Sequence, residues 1–333
     1  MTSALSVVMP MHNEASHLRE TVRALVAALD RSGFVAELIL VDDGSTDGTA
    51  AAAKDACPKH LRHRVLCQPN RGRLEARRKG LEAASAELVL LLDSRVALAR
   101  DALAFVAERV QAGECVWTGH VHVAGDRNPY AVFWRLLAEL AWEDYFDRPR
   151  TTSFDASNFD RYPKGTGCFL APRKLMLDAI AAFRSRYADS RFANDDTPLI
   201  RWIAERERIH ISPRFSAAYA PRTRLATFLR HSFRRGMVFL DGHGRRESRF
   251  YPAAIAFYPA SLLLAYAALR RPLLAPAVLA AVGLAGGALA AQRRRDPFEV
   301  ATLAALTPLY AVAHGAGMWR GLALLVRDRA KSD

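Results

Sequence analysis

Apolar positions along the first 120 residues alternate between two rhythms, short unbroken runs and recurrences every three or four residues. Leu5–Pro10 is apolar almost throughout and predicts a buried strand. Leu18, Val22, Leu25, Val26 and Leu29 then recur at helical spacing, and Gly33 closes that helix. Glu37–Val41, Val65–Cys67 and Glu87–Leu92 predict three further strands. Helices fall between them over Ala50–Ala56, with Asp47 placed to cap it, and over Leu74–Ala84. Strands and helices in this order imply a parallel sheet covered on both faces. Such sheets bind ligands beyond the carboxyl ends of their strands. Those ends read Pro10-Met11-His12-Asn13-Glu14, Asp42-Asp43-Gly44-Ser45 and Asp93-Ser94-Arg95, all polar or acidic and expected to line one cleft.

From Cys115 to Tyr219 the pattern is less regular. Val116–Val123 predicts a strand and Tyr130–Tyr145 an amphipathic helix rich in Trp and Phe. Lys164-Gly165-Thr166-Gly167 is a glycine turn leading into Cys168–Leu170, and Asn194–Pro198 a loop that opens a helix. The tail holds three long uncharged runs, Tyr251–Leu269, Pro272–Gln292 and Val300–Trp319. A bilayer span needs about 20 apolar residues, so each run is long enough to cross. Arg270-Arg271 and Arg293-Arg294-Arg295 punctuate them. Two crossings would return the triple arginine to the side of a cytosolic first domain, as the positive-inside rule asks, while leaving Arg270 and Arg271 outside. One run lying in the interface is the alternative path.

Charge sharpens this division. Residues 1–221 carry 30 Lys/Arg against 28 Asp/Glu, and residues 222–333 carry 17 against 6. The near-neutral first part disfavours nucleic-acid binding, and the cationic excess sits beside the apolar tail. The expected organisation is a catalytic domain over 1–221, a basic interfacial segment over 222–250 and a membrane-associated region over 251–333. Four scattered cysteines and a start without a basic region followed by a long apolar run point to a reducing cytosolic compartment for the first domain.

Asp42 and Asp43 end a buried strand and precede a Gly/Ser/Thr/Asp turn. Paired carboxylates there can accept from a base N–H and from ribose hydroxyls, although they repel phosphate. The same string would serve as a turn and helix cap and nothing more. In combination the signal is more specific. Met9-Pro10-Met11-His12-Asn13-Glu14, then Val41-Asp42-Asp43-Gly44-Ser45-Thr46-Asp47, resembles the opening of family-2 glycosyltransferases. Asn70-Arg71-Gly72, Ala76–Leu81 and Leu91-Leu92-Asp93 continue the resemblance, which is strong over 5–95, moderate over 160–200 and weak beyond.

The resemblance implies a GT-A fold, a Rossmann-like α/β arrangement with a mixed, mainly parallel sheet flanked by helices, here followed by C-terminal membrane helices. It implies a nucleotide-sugar donor of the UDP or GDP type, with Pro10, Asn13 and Glu14 lining the nucleotide pocket and Asp43 reading the base beside Asp42. Arg77 falls near the donor, whereas Arg73, Arg78 and Lys79 read as a solvated helix face. The family's Asp-x-Asp metal motif stands here as Asp93-Ser94-Arg95. Either Asp93 holds Mg²⁺ or Mn²⁺ with other help, or Arg95 replaces part of the metal's charge at the donor phosphates.

Asn194-Asp195-Asp196 resembles the acidic pair of inverting members, with Asp196 as the base that deprotonates the acceptor hydroxyl and Asp195 as its orienting neighbour. Its bland counterpart is a helix cap. Gly165, Thr166 and Gly167 would approach the sugar or acceptor. His231–Arg235 is a degraded form of the Gln-x-x-Arg-Trp string of polymerising members, in which Arg234 either clamps the pyrophosphate or belongs to a basic interfacial helix. The expected activity is inverting transfer of a hexose to a lipid-linked or surface-glycan acceptor at the cell's inner membrane, the catalytic domain facing the cytosol. A non-catalytic nucleotide-sugar-binding scaffold is the competing reading. A sugar nucleotidyltransferase would want a glycine-rich phosphate loop, and Met9–Glu14 contains no glycine.

Overall fold

The computed structural model describes residues 3–125, 127–194 and 196–329. They divide into two compact units. The first comprises 1–124, 141–184 and 189–220, and the second 125–140, 185–188 and 221–333. The second unit thus resumes at Pro221, where the charge balance changes, and also takes in two short excursions from the first 220 residues.

In the first unit the predicted elements appear as β1 (Ala4–Met11), α1 (Leu18–Leu29), β2 (Val35–Asp43), α2 (Thr49–Ala56), β3 (Arg62–Gln68), α3 (Arg73–Ala83) and β4 (Leu88–Leu92). Then follow β5 (Val96–Leu98), α4 (Ala102–Gln111) and β6 (Trp117–Val123). The predicted Tyr130–Tyr145 helix breaks at Trp142, whose φ of −131° is not helical, into α5 (Pro129–Ala141), which belongs up to residue 140 to the second unit, and α6 (Glu143–Phe146). After it come β7 (Thr152–Phe154), β8 (Cys168–Pro172), α7 (Arg173–Ala182), α8 (Thr197–Ala204) and β9 (Ile209–Tyr219).

One nine-stranded sheet runs β3-β2-β1-β4-β8-β6-β9-β5, with β7 also on β9. It is mixed: β3, β2, β1 and β4 are parallel, β8 is antiparallel to both its neighbours, and β6 and β9 are parallel. The period-two alternation sorts β1 cleanly. Leu5, Val7 and Met9 pack with Leu18, Val22 and Leu25 of α1 and Leu103 of α4, while Val8 packs on the opposite face with Leu74 and Leu81 of α3. β9 escaped the periodicity because it carries Pro213 and sits against a register shift at Gly119/His120. Asp47 acts one residue before the cap position. Gly48, at φ +82°, is the residue that turns into α2, and Asp47 accepts from the Thr49 backbone N–H at 3.0 Å.

The second unit adds α9 (Leu225–Met237), α10 (Phe239–His243), α11 (Tyr251–Arg270), α12 (Leu274–Gln292) and α13 (Pro297–Arg329). Val132, Phe133 and Leu136 of α5 form its core with Phe228, Ala290, Leu303 and Leu306. α11, α12 and α13 are each long and apolar enough to cross a membrane.

Candidate functional site

The carboxyl ends of β1, β2 and β4 lie side by side, because β1 is hydrogen-bonded to both others. The loops that follow them are laced together. Asn13 sits in the left-handed region (φ 56°), donates its backbone N–H to Ser45 Oγ at 2.9 Å and accepts from the Thr46 N–H at 2.8 Å. Thr49 Oγ1 takes the Glu14 N–H at 2.8 Å. Asp42 accepts from Ser45, through its backbone N–H at 3.2 Å and its hydroxyl. Pro10 is buried in β1 opposite Val41.

Asp43 is 4% exposed, and the chain itself uses both of its oxygens. Oδ1 accepts from Gln68 Nε2 and the Arg71 N–H, and Oδ2 from the Gly72 N–H, each at 2.8 Å. One acceptor direction remains on Oδ2. The carboxylate therefore shapes the 70–72 loop that launches α3. Two glycines make this loop buildable. A side chain on Gly44 (φ +72°) would come within 2.7 Å of the Asn70 backbone, and one on Gly72 (φ +93°) within 2.7 Å of Arg191 Cα. Ser190 Oγ donates to the Arg71 carbonyl at 2.7 Å, so the later 189–192 segment clasps the same loop.

α3 then projects two arginines one turn apart, Arg73 and Arg77. Arg77 is 1% exposed and donates to Asp93 at 2.9 Å, with its other terminal nitrogen 3.7 Å from Asp196. Arg73 lies 3.8 Å from Asp93 and 3.6 Å from Asp196. Asp93 and Asp196, 103 positions apart in the chain, thus share a pair of guanidiniums. The glycine turn brackets both. Thr166 gives its backbone N–H (3.0 Å) and its hydroxyl to Asp196, and the Gly167 carbonyl accepts the Asp93 N–H at 2.8 Å. Burial pushes the Asp196 carboxyl upward, but Arg73, Arg77 and the two Thr166 bonds outweigh it and hold the group well below the usual carboxylate range.

Arg95 is engaged elsewhere: its Nε lies 2.8 and 2.7 Å from the two oxygens of Glu14, tying the third strand end to the first. The solvated-face reading suits Arg78, paired with Glu75, and Lys79, bonded to the Cys67 carbonyl, but not Arg73. Arg73 was legible in principle, since it stands four residues before Arg77 on one helix face directly after a glycine. Asp195 lies outside the described residues. Arg234 belongs to the second unit, on α9 between Phe233 and Arg235. No cluster of three or more metal-ligating His, Cys, Asp or Glu occurs among the described residues.

The model of Glycosyl transferase family 2 matches residues 6–174, just over half of the chain. An undecaprenyl-phosphate 4-deoxy-4-formamido-L-arabinose transferase of Pseudomonas paraeruginosa is 33% identical over 224 residues, 64% of this chain and 60% of that protein. The protein of the same name from Pseudomonas fluorescens is 28% identical with the same coverage. The chain therefore matches about three-fifths of the length of these curated relatives. Among solved structures, S. aureus TarS 1–349 with UDP-GlcNAc superposes at a TM-score of 0.52 and 15% identity, over 99% of this chain and 92% of that one. The mannosyltransferase PcManGT of Pyrobaculum calidifontis, solved with GDP-Man and Mn²⁺, gives 0.51 at 20% identity, over 99% and 87%. At these identities the two structures share the fold.

Proposed function

Because the chain belongs to glycosyltransferase family 2, we propose that it moves one sugar from a UDP- or GDP-type donor to a membrane-presented acceptor, with inversion at the anomeric carbon. The observation that carries this reading is the sharing of Arg73 and Arg77 between Asp93 and Asp196. A donor pyrophosphate at the end of β4 needs cations, and two guanidiniums are the groups suited to it.

The proposed sequence of events follows from charge. The incoming pyrophosphate competes with the carboxylates for Arg73 and Arg77. As the arginines turn to phosphate, Asp196 loses the partners that hold its proton affinity down. It then takes the proton of the attacking acceptor group, a sugar hydroxyl or the P–OH of a singly ionised lipid phosphate, while that oxygen attacks the anomeric carbon. The bond from the anomeric carbon to the pyrophosphate oxygen breaks, and the arginines stabilise the departing nucleoside diphosphate. Asp195 keeps the orienting role that the family resemblance implies, and Gly165–Gly167 the position beside the reacting sugar. Pro10, Asn13, Glu14 and Asp42 would line the nucleoside pocket, with the free direction of Asp43 Oδ2 for a base N–H.

Asp93 is the residue that would hold a divalent cation, which would supply charge to the departing phosphates. Its two oxygens face Arg77 at 2.9 Å and Arg73 at 3.8 Å, and Arg95 stands where a second acid would help. This donor set does not fit a metal.

A polyprenyl phosphate is the acceptor class that the tail and the undecaprenyl-phosphate relatives support. Protein in detergent, given bacterial lipids and radiolabelled UDP- and GDP-sugars, is expected to yield label extractable into organic solvent. Label transferred only to water-soluble products would overturn the lipid acceptor. Neither transfer nor donor hydrolysis would favour the scaffold.

A further inference from the structure

We infer that the membrane element of this protein is the α11–α12 hairpin, and that α13 does not cross the bilayer, both of its ends lying on the side from which the segments 125–140 and 185–188 leave. The inference concerns the lipid-facing surface and is independent of the reaction proposed above. It rests on where α13 is tied.

Three tethers fix α13 along its length. Near its start, Glu299 accepts from Arg135 of α5 at 2.5 Å. In its middle, it lies in backbone contact with α9. A side chain on Gly236 would fall 1.9 Å from the His314 carbonyl oxygen, and one on Gly317 would fall 2.0 Å from that of Phe233. Near its end, Asp328 accepts the Ala188 backbone N–H at 3.0 Å. At about 1.5 Å per residue, Glu299 and Asp328 are about 44 Å apart along the helix, more than the roughly 30 Å of a hydrocarbon core. A spanning α13 would put these two ends on opposite sides of the membrane.

The covalent chain forbids that. Ala188 belongs to a four-residue excursion, 185–188, that leaves and re-enters the first unit. Arg135 belongs to another, 125–140, of 16 residues. Crossing once takes about 20 helical residues, so neither excursion can cross and come back. Both ends of α13 are therefore held on the side from which those segments leave. The middle is held by α9, which bears Arg230, Arg234 and Arg235 in one short helix, a charge load that hydrocarbon does not accept.

The same bookkeeping closes the hairpin. α10 is tied to the shorter excursion, Asp241 accepting from the Arg186 N–H at 2.6 Å and from Ser185 Oγ at 3.1 Å, so α11 starts on that side. α12 ends on it as well, since Arg295 meets Glu139 at 2.7 Å. Between these anchors the helices are apolar and open: Leu263 is 69% exposed, Leu269 85% and Leu284 73%. A lipid bilayer is the occupant that fits such a surface. Arg293, Arg294 and Arg295 then lie on the retained side, where cations face anionic headgroups.

The test is a pair of reporters fused after residue 333 of the full chain in a bacterial host. A fluorescent protein that matures only in the cytoplasm is compared with an alkaline phosphatase active only outside it. The same fluorescent protein before residue 1 marks the catalytic side. The expected result is fluorescence from both fluorescent fusions and no phosphatase activity from the C-terminal one. An active C-terminal phosphatase with a dark C-terminal fluorescent fusion would give α13 a full crossing and overturn the inference.

Discussion

Two clusters in this protein set two arginines against two carboxylates, and they are built to different tolerances. In the second unit Arg135 meets Glu299 at 2.5 Å and Glu139 at 3.2 Å, and Arg295 meets Glu139 at 2.7 Å. In the first unit Arg77 meets Asp93 at 2.9 Å, and among the described residues its distance to Asp196 and those of Arg73 to both carboxylates lie between 3.6 and 3.8 Å. Arg73 is half exposed and Asp196 37% exposed, whereas Glu299 is buried. Short, enclosed pairs are costly to open, because removing one partner strands a buried charge. Looser pairs at a wet edge can exchange a carboxylate for an incoming phosphate. One cluster fastens helices together; the other is poised to change partners.

The largest effect that can break this contrast is at Asp196. Asp196→Asn removes the proposed base and is expected to lower kcat by about 10²–10⁴-fold. It also removes one competitor for the arginines, so UDP or GDP should raise the melting temperature at least as much as in the parent protein. Near-parental turnover would move the base elsewhere, and lost nucleotide binding would make Asp196 part of the pocket's architecture.

Exchanging single arginines separates the two clusters directly. Arg73→Ala is expected to weaken nucleoside-diphosphate binding about tenfold, the size of one charge-assisted contact, with a small change in melting temperature. Arg135→Ala should do the reverse, costing about 3–5 kcal/mol of stability by stranding Glu299 while sparing nucleotide affinity. Calorimetric binding and thermal denaturation of both variants decide it, and equal effects would erase the distinction. The pH profile adds a sign. Arg73 lowers the proton affinity of Asp196 in the free enzyme, so Arg73→Ala should move the acid limb of kcat/KM to higher pH. If donor binding draws the arginines away, the acid limb of kcat should already lie above that of kcat/KM in the parent.

The two clusters were not equally legible in the sequence. β1, β2 and β4 announced themselves by apolar runs, and the residues at their carboxyl ends followed from the strand order of open α/β sheets. Arg77 came from the family resemblance. Arg73 did not, because a charged residue on a surface helix has no local mark of what it faces, and its partner Asp196 lies far along the chain. The 125–140 and 185–188 excursions were invisible for the same reason: their role is set by contacts with α9, α10 and α13, and periodicity reports only local burial. The three apolar runs were likewise each long enough to cross, with one allowed to lie in the interface, since hydropathy does not tell which of them packs on α9 and α5.

The smallest expected effect concerns the cation that steadies the leaving group. If Arg73 and Arg77 supply it, chelating divalent metal with EDTA should change the transfer rate by less than about twofold, because fixed guanidiniums already stabilise the charge that develops. The measurement is informative because the opposite result has a distinct signature. A loss of more than about tenfold, restored by Mn²⁺ and absent in Asp93→Asn, would assign Asp93 to a metal that the donor phosphates complete. The arginine pair would then only neutralise Asp93 and Asp196 until a donor and its cation arrive. The wide spacing of the first-unit cluster would be explained by that displacement, with the guanidiniums taking no direct part in transfer.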